Sequence, residues 1–264
     1  MKKRHLLYAA CLLAGMGACS ATQKSRTEVA ADAWGKYNVG TILFEDKATQ
    51  TEGSDIYHRI IPDAESYIKE QARVVLATLY DSPEDSIPAV NKIHYTLEDI
   101  EGVSAKGGGD GDVTIFYSTR HIEKSFAAND TAKLFFETRG VLLHELTHAY
   151  QLEPQGVGSY GTNRVFWAFI EGMADAVRVA NGGFDGPNAR PKGGNYMDGY
   201  RTAGYFFVWL RDNKDSEFLR KFNRSTLEVV PWSFDGAIKH ILGKECSIDE
   251  LWHEYQVAVG DIQA

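Results

Sequence analysis

The stretch GVLLHELTHAYQ, Gly140 to Gln151, sets His144 and His148 four residues apart with Glu145 directly after the first. Residues four apart on a helix share a face. Two imidazoles stacked in this way can grip one zinc ion. Glu145, projecting beside it, can take a proton from an activated water and later pass it to a leaving amine. The plainer alternative is a solvated helix face that happens to carry two histidines. The neighbours Val141, Leu142, Leu143, Leu146 and Ala149 speak against that alternative. They predict a largely buried helix, where unpaired histidines are costly.

A catalytic zinc takes three protein ligands and keeps one position open. The pattern with a glycine three residues after the second histidine and a further histidine six after it is excluded, because Gln151 and Pro154 stand there. The stretch FIEGMADAVR supplies the alternative. Glu171 lies 23 residues after His148, and Asp175 four after Glu171, so one helical face carries two carboxylates. Glu171 is expected as the third metal ligand. Asp175 is expected to hold the free ring nitrogen of a ligand histidine. Gly172 and Ala174 leave room for close helix packing.

HExxH followed some twenty residues later by E-x-x-x-D resembles the gluzincins. The fuller set GVLLHELTHAYQ, FIEGMADAVR and DGYRTAGYFFVWL resembles the basic secretory protein family of plants and bacteria, a group of secreted zinc peptidases. The likeness runs from about Asn91 to Leu210 and is firm at those three motifs. It implies one zinc ion per chain on His144, His148 and Glu171, with Glu145 as base. Tyr200 falls on the tyrosine of the third motif, where the resemblance implies a hydroxyl donated to the developing oxyanion. A packing role among Tyr196, Tyr205 and Phe206 is the alternative. The chain departs from the plant members in being acidic.

The elements that must position these residues read as an α+β, zincin-like fold. Strands are expected at VGTILFED, NKIHYTLEDI and DVTIFYS, with a helix from about Asp63 to Tyr80. The HELTH helix follows, capped by Asn129, Asp130 or Thr138. After it the chain reads as mostly helical, with a long polar loop, FDGPNARPKGGNYMDG, before YRTAGYFFVWLRDN. Gly107, Gly108 and Gly109 precede DVTIFYS. They do not form a phosphate loop, since no Lys-Ser/Thr and no helix follow. They are either a flexible turn or a strand edge on which a substrate peptide can pair its backbone. His58, His94, His121, His240 and His253 read as surface or satisfied groups.

The 264 residues, 44% hydrophobic and 24% charged, have ordinary globular composition. The segment MKKRHLLYAACLLAGMGACS has Lys2, Lys3 and Arg4 before an apolar run too short to span a bilayer, as a signal peptide does. MGAC resembles a lipobox, making Cys19 the expected lipidation site of an exported lipoprotein; a plain secretory signal is the alternative. Residues 1–18 are thus read as signal, 19–36 as tether and 37–264 as one metallopeptidase domain. Cys246 would remain alone, so no disulfide is expected. Losing Lys2, Lys3 and Arg4 takes the net charge from −8 to −11, which disfavours nucleic acid as a partner. The expected partners are a protein or peptide substrate and, through the N-terminal lipid alone, a membrane; a monomer is favoured. Rival readings are a zinc amidase or glycopeptidase acting on cell-wall or glycosylated peptides, and a catalytically silent surface binding protein.

Overall fold

The computed structural model describes residues 33–263; Cys19 and the signal segment lie outside them. The fold is α+β: a four-stranded sheet, then a mostly helical C-terminal part. Strand β1 (Thr41–Asp46) leads through helices α1 (Glu52–Ile60) and α2 (Ala64–Leu79) to β2 (Lys92–Glu98). A hairpin follows, β3 (Ser104–Gly109) and β4 (Asp112–Ser118), then α3 (Thr119–Ser125). The helices α4 (Thr131–Tyr150), α5 (Arg164–Ala180), α6 (Tyr200–Asn213), α7 (Phe218–Glu228), α8 (Phe234–Leu242) and α9 (Ile248–Ala258) complete the chain.

The spatial order of the sheet is β1-β2-β4-β3, parallel except for the antiparallel edge strand β3. Ile93, Tyr95 and Leu97 alternate into the core as their spacing predicts, and Val113, Ile115 and Tyr117 do the same on β4. Gly107–Gly109 are part of β3 itself, and the turn is made by Asp110 and Gly111, both at positive φ. A side chain on Gly108, at φ 84°, would strike the Asp112 carbonyl, so glycine is what lets the hairpin close this tightly.

Two short helices, α1 and α3, were not legible from periodicity. Thr51 caps α1 by accepting the Ser54 amide, and Gly53 lets α1 lie directly on Thr119 of α3. Trp34 is buried against Tyr37, so the folded part reaches back at least three residues before the expected start. Trp232 and Trp252 are core residues, whereas Trp167 and Trp209 are only partly buried. Among the described residues no helix is long and apolar enough to cross a membrane.

Asp130 starts α4 by accepting the Lys133 amide at 2.9 Å. Asn163 starts α5 by accepting the Val165 and Phe166 amides. Helices α5 and α6 approach closely because both contribute glycine. A Cβ on Gly172 would meet the Ala203 Cβ at 2.8 Å, and one on Gly204 would meet the Ala176 nitrogen and the Asp175 carbonyl carbon at 2.9 Å. The polar loop between these helices is strapped to the C-terminal tail. There Asp261 accepts two bonds from Arg190, at 2.7 and 2.8 Å, and one from the Gly193 amide at 2.8 Å.

Backbone cannot yield as a side-chain tip can, so Gly204→Ala is expected to force α6 away from α5. The cost should be about 1–3 kcal/mol of stability. A denaturant melt reads this as a midpoint shift at unchanged slope; a midpoint equal to wild type would show that the helices have slack.

Candidate metal centre and catalytic cleft

Helices α4 and α5 bring three donor atoms together. His144 Nε2 and His148 Nε2 lie 3.1 Å apart. Glu171 Oε2 lies 3.3 Å from the first and 3.7 Å from the second. A tetrahedral ion bonded at about 2.0–2.1 Å requires donors about 3.3–3.4 Å apart, so the three fit one cation. Glu171 is only 3% exposed, and its Oε2 makes no well-formed hydrogen bond, facing only the two ring nitrogens. A buried carboxylate oxygen facing two ring nitrogens is costly unless a cation satisfies it. His144, His148 and Glu171 could therefore hold a metal ion.

Each donor residue is oriented by one further side chain. Asp175 Oδ1 lies 2.7 Å from His144 Nδ1, as the spacing of Glu171 and Asp175 predicts. The buried Gln151 amide lies 2.9 Å from His148 Nδ1. With its oxygen turned to accept the Nδ1 proton, the lone pair of Nε2 is left facing the site. The Tyr160 hydroxyl donates to Glu171 Oε1 at 2.5 Å, leaving Oε2 free. Sequence reasoning missed Gln151 and Tyr160. Gln151 sits three residues past His148 and was open to detection from that spacing. Tyr160 sits in an aperiodic loop that gave no signal.

Glu145 faces the cleft beside β3 and is 6% exposed. Burial pushes its carboxyl above the ordinary glutamate range, against the pull of His144, the Ser104 hydroxyl and the Lys106 amide. Burial alone would lower His144, but the carboxylates of Asp175 and Glu171 outweigh it and hold it at about 10. Burial and the His144 charge push His148 down to about 3. Burial would raise Glu171, but His144, His148 and Tyr160 hold it below its usual range.

Tyr200 stands at the mouth, 47% exposed, its ring parallel to that of His144 at 6.0 Å and edge-on to Trp167. Its φ of 42° follows Gly199 at 65°. Such a backbone is uncommon for tyrosine and costs about 1–2 kcal/mol. The cleft has a volume of about 860 Å³ and runs between the edge of the sheet and helices α4, α5 and α6. Its sheet wall is Val103–Lys106; Gly107–Gly109 lie further along β3 and do not line it. The other histidines among the described residues lie outside the metal centre. His58, His94, His121 and His240 each meet a carboxylate, Asp46, Glu45, Glu137 and Glu228 respectively.

The fold and site define an α+β protein with a candidate His-His-Glu metal centre at the floor of a substrate-sized cleft. The model of the family described as peptidase of plants and bacteria matches residues 40–255, and the chain belongs to that family. No curated protein and no solved structure matches the chain.

Without metal at neutral pH, His144 carries a proton while His148 is neutral and Glu171 is ionised. Cation uptake at pH 7 is therefore expected to release about one proton, and affinity should fall about tenfold per pH unit of acidification. Titration calorimetry in buffers of different ionisation heat measures this, and no release would contradict the assignment. Asp175→Asn is expected to weaken metal binding about 10–100-fold, read by competition with a chromophoric chelator.

Proposed function

We propose that the protein is a zinc-dependent endopeptidase, exported and anchored through lipid on Cys19. The observation carrying this reading is the convergence of His144, His148 and Glu171 with Glu145 beside them, in a cleft bordered by a sheet edge. Membership of a peptidase family supports a peptide substrate. The N-terminal basic, apolar and cysteine pattern supports export.

When bound, zinc supplies Lewis acidity that polarises the scissile carbonyl and acidifies the attacking water. The chain's own residues do the rest. An extended peptide lies along the free edge of β3, its backbone pairing with the segment Val103–Lys106. Glu145, whose raised pKa suits a proton shuttle, removes a proton from the water as its oxygen attacks the carbonyl carbon. It then gives that proton to the amide nitrogen as the C–N bond breaks. Tyr200, held in its protonated form by burial and by the nearby carboxylates, donates to the carbonyl oxygen as charge develops. Asp175, Gln151 and Tyr160 keep the three donor residues aimed.

Wild-type protein is expected to bind about one zinc and to cleave a diverse peptide library in a chelator-sensitive way. Glu145→Gln should keep the zinc and lose at least about 10²–10⁴-fold in cleavage, whereas Glu171→Ala should lose the zinc. Wild type that takes up no zinc would defeat the proposal. Zinc-loaded protein that cleaves no peptide would defeat the peptidase part of it.

A further inference from the structure

We infer that the cleft carries a carboxylate-binding subsite at its His144 end, formed by Arg178, Phe184 and Arg201, and that substrates place an acidic group there. This deepens the peptidase reading and rests on it.

Val141 precedes His144 by three residues and Arg178 follows Asp175, the hydrogen-bond partner of His144, by three, so they lie about 4.5 Å along their helices from His144 and Asp175 respectively. Both line the cleft, with Phe184 and Arg201. Arg178 is 5% exposed and only partly satisfied: Nη2 donates to Glu137 at 2.6 Å, while Nε is buried without a partner. Glu137 is shared with His121. The guanidinium lies between Gly140, where a Cβ would meet Nε at 2.4 Å, and the Phe184 ring, 3.7 Å from Cζ. Arg201 Cζ approaches the same ring at 5.4 Å. Its Nη1 donates to the Ala189 carbonyl, and no ion pair to Arg201 is present among the described residues.

Two guanidiniums thus approach one aromatic ring, and Asp175, which also lines the cleft, is committed to His144. Phe184 adopts φ 55°, a costly backbone for an aromatic residue, to lay its ring there. An ion-pair anchor for Arg178 alone would require neither that ring nor Arg201. A carboxylate entering this corner would gain charge-assisted bonds from the buried Arg178 guanidinium and the exposed Arg201 guanidinium. The opposite end of the cleft, past His148, is lined by Gln151 and Glu153 and offers no such pair. The carboxylate has two sources, an Asp or Glu side chain or the free C-terminus of a short peptide.

The test uses the zinc-loaded full chain and matched peptides carrying Glu or Gln at each position around the cleaved bond, with free or amidated C-termini. The expected result is a preference of about tenfold or more in kcat/KM for one acidic position. Arg201→Gln should cut the Glu-to-Gln ratio about tenfold, and Arg201→Glu should turn the preference towards Lys. Preference for free over amidated termini would assign the terminal carboxylate, and an internal Glu preference the side chain. Fluorescence anisotropy with zinc-loaded Glu145→Gln measures the same discrimination as binding, so it decides the point even where no peptide is cleaved. Equal binding and cleavage of Glu and Gln peptides would overturn the subsite while leaving a peptidase. Cleavage of nothing together with tighter binding of the acidic peptide would keep the subsite and remove the peptidase.

Discussion

Everything at the site depends on one constraint: helices α4 and α5 must lie close enough for donors from both to meet one ion. The 2.7 Å hydrogen bond from His144 to Asp175 is where that constraint becomes a contact. It ties the helices at the level of the site and fixes the ring orientation of one donor residue. The glycines follow from it. Gly140 lets α4 accept the Arg178 guanidinium of α5, and Gly172 and Gly204 let α6 press on α5 from behind. Since Tyr200 opens α6, the same packing brings its ring over His144.

The sheet contributes an edge. Because β3 runs antiparallel at the end of the sheet, its outer backbone groups have no strand partner. Exposed edges invite unwanted pairing, and natural proteins cover or shorten them. Here the edge borders the cleft, where a transient partner is useful. The glycines that make the hairpin so tight lie away from the cleft wall. Their contribution is to set the path of β3, so that Ser104 and Lys106 come up beside Glu145.

The donor residues were legible because HExxH is local: helix geometry alone places His144, Glu145 and His148. Glu171 and Asp175 were legible because E-x-x-x-D on a second helix obeys the same geometry. The strand alternation of Ile93, Tyr95 and Leu97 gave β2 for a similar reason. Features set by tertiary packing were not legible. Helices α1 and α3 are too short for a periodic signal and form because their ends are capped and their faces buried. Tyr160 comes from a loop held by glycines at positive φ, and no sequence period foretells where its hydroxyl will land. Phe184 is placed by a loop whose strap, Arg190 to Asp261, spans residues far apart in the chain.

Charge explains why these parts belong together. Glu145, Glu171 and Asp175 sit within one buried region, each no more than 6% exposed. Three buried carboxylates cannot all ionise without compensation. Burial pushes the Glu145 carboxyl up, while at His144 the carboxylates of Asp175 and Glu171 outweigh burial and favour the protonated ring. A divalent cation held by His144, His148 and Glu171 would supply positive charge in place of the His144 proton. It would also meet the buried Oε2 of Glu171. The groups whose burial is costly are thus the ones that suit the site to a cation. Burial likewise raises the Glu145 carboxyl, which suits the proton-shuttle role proposed for it.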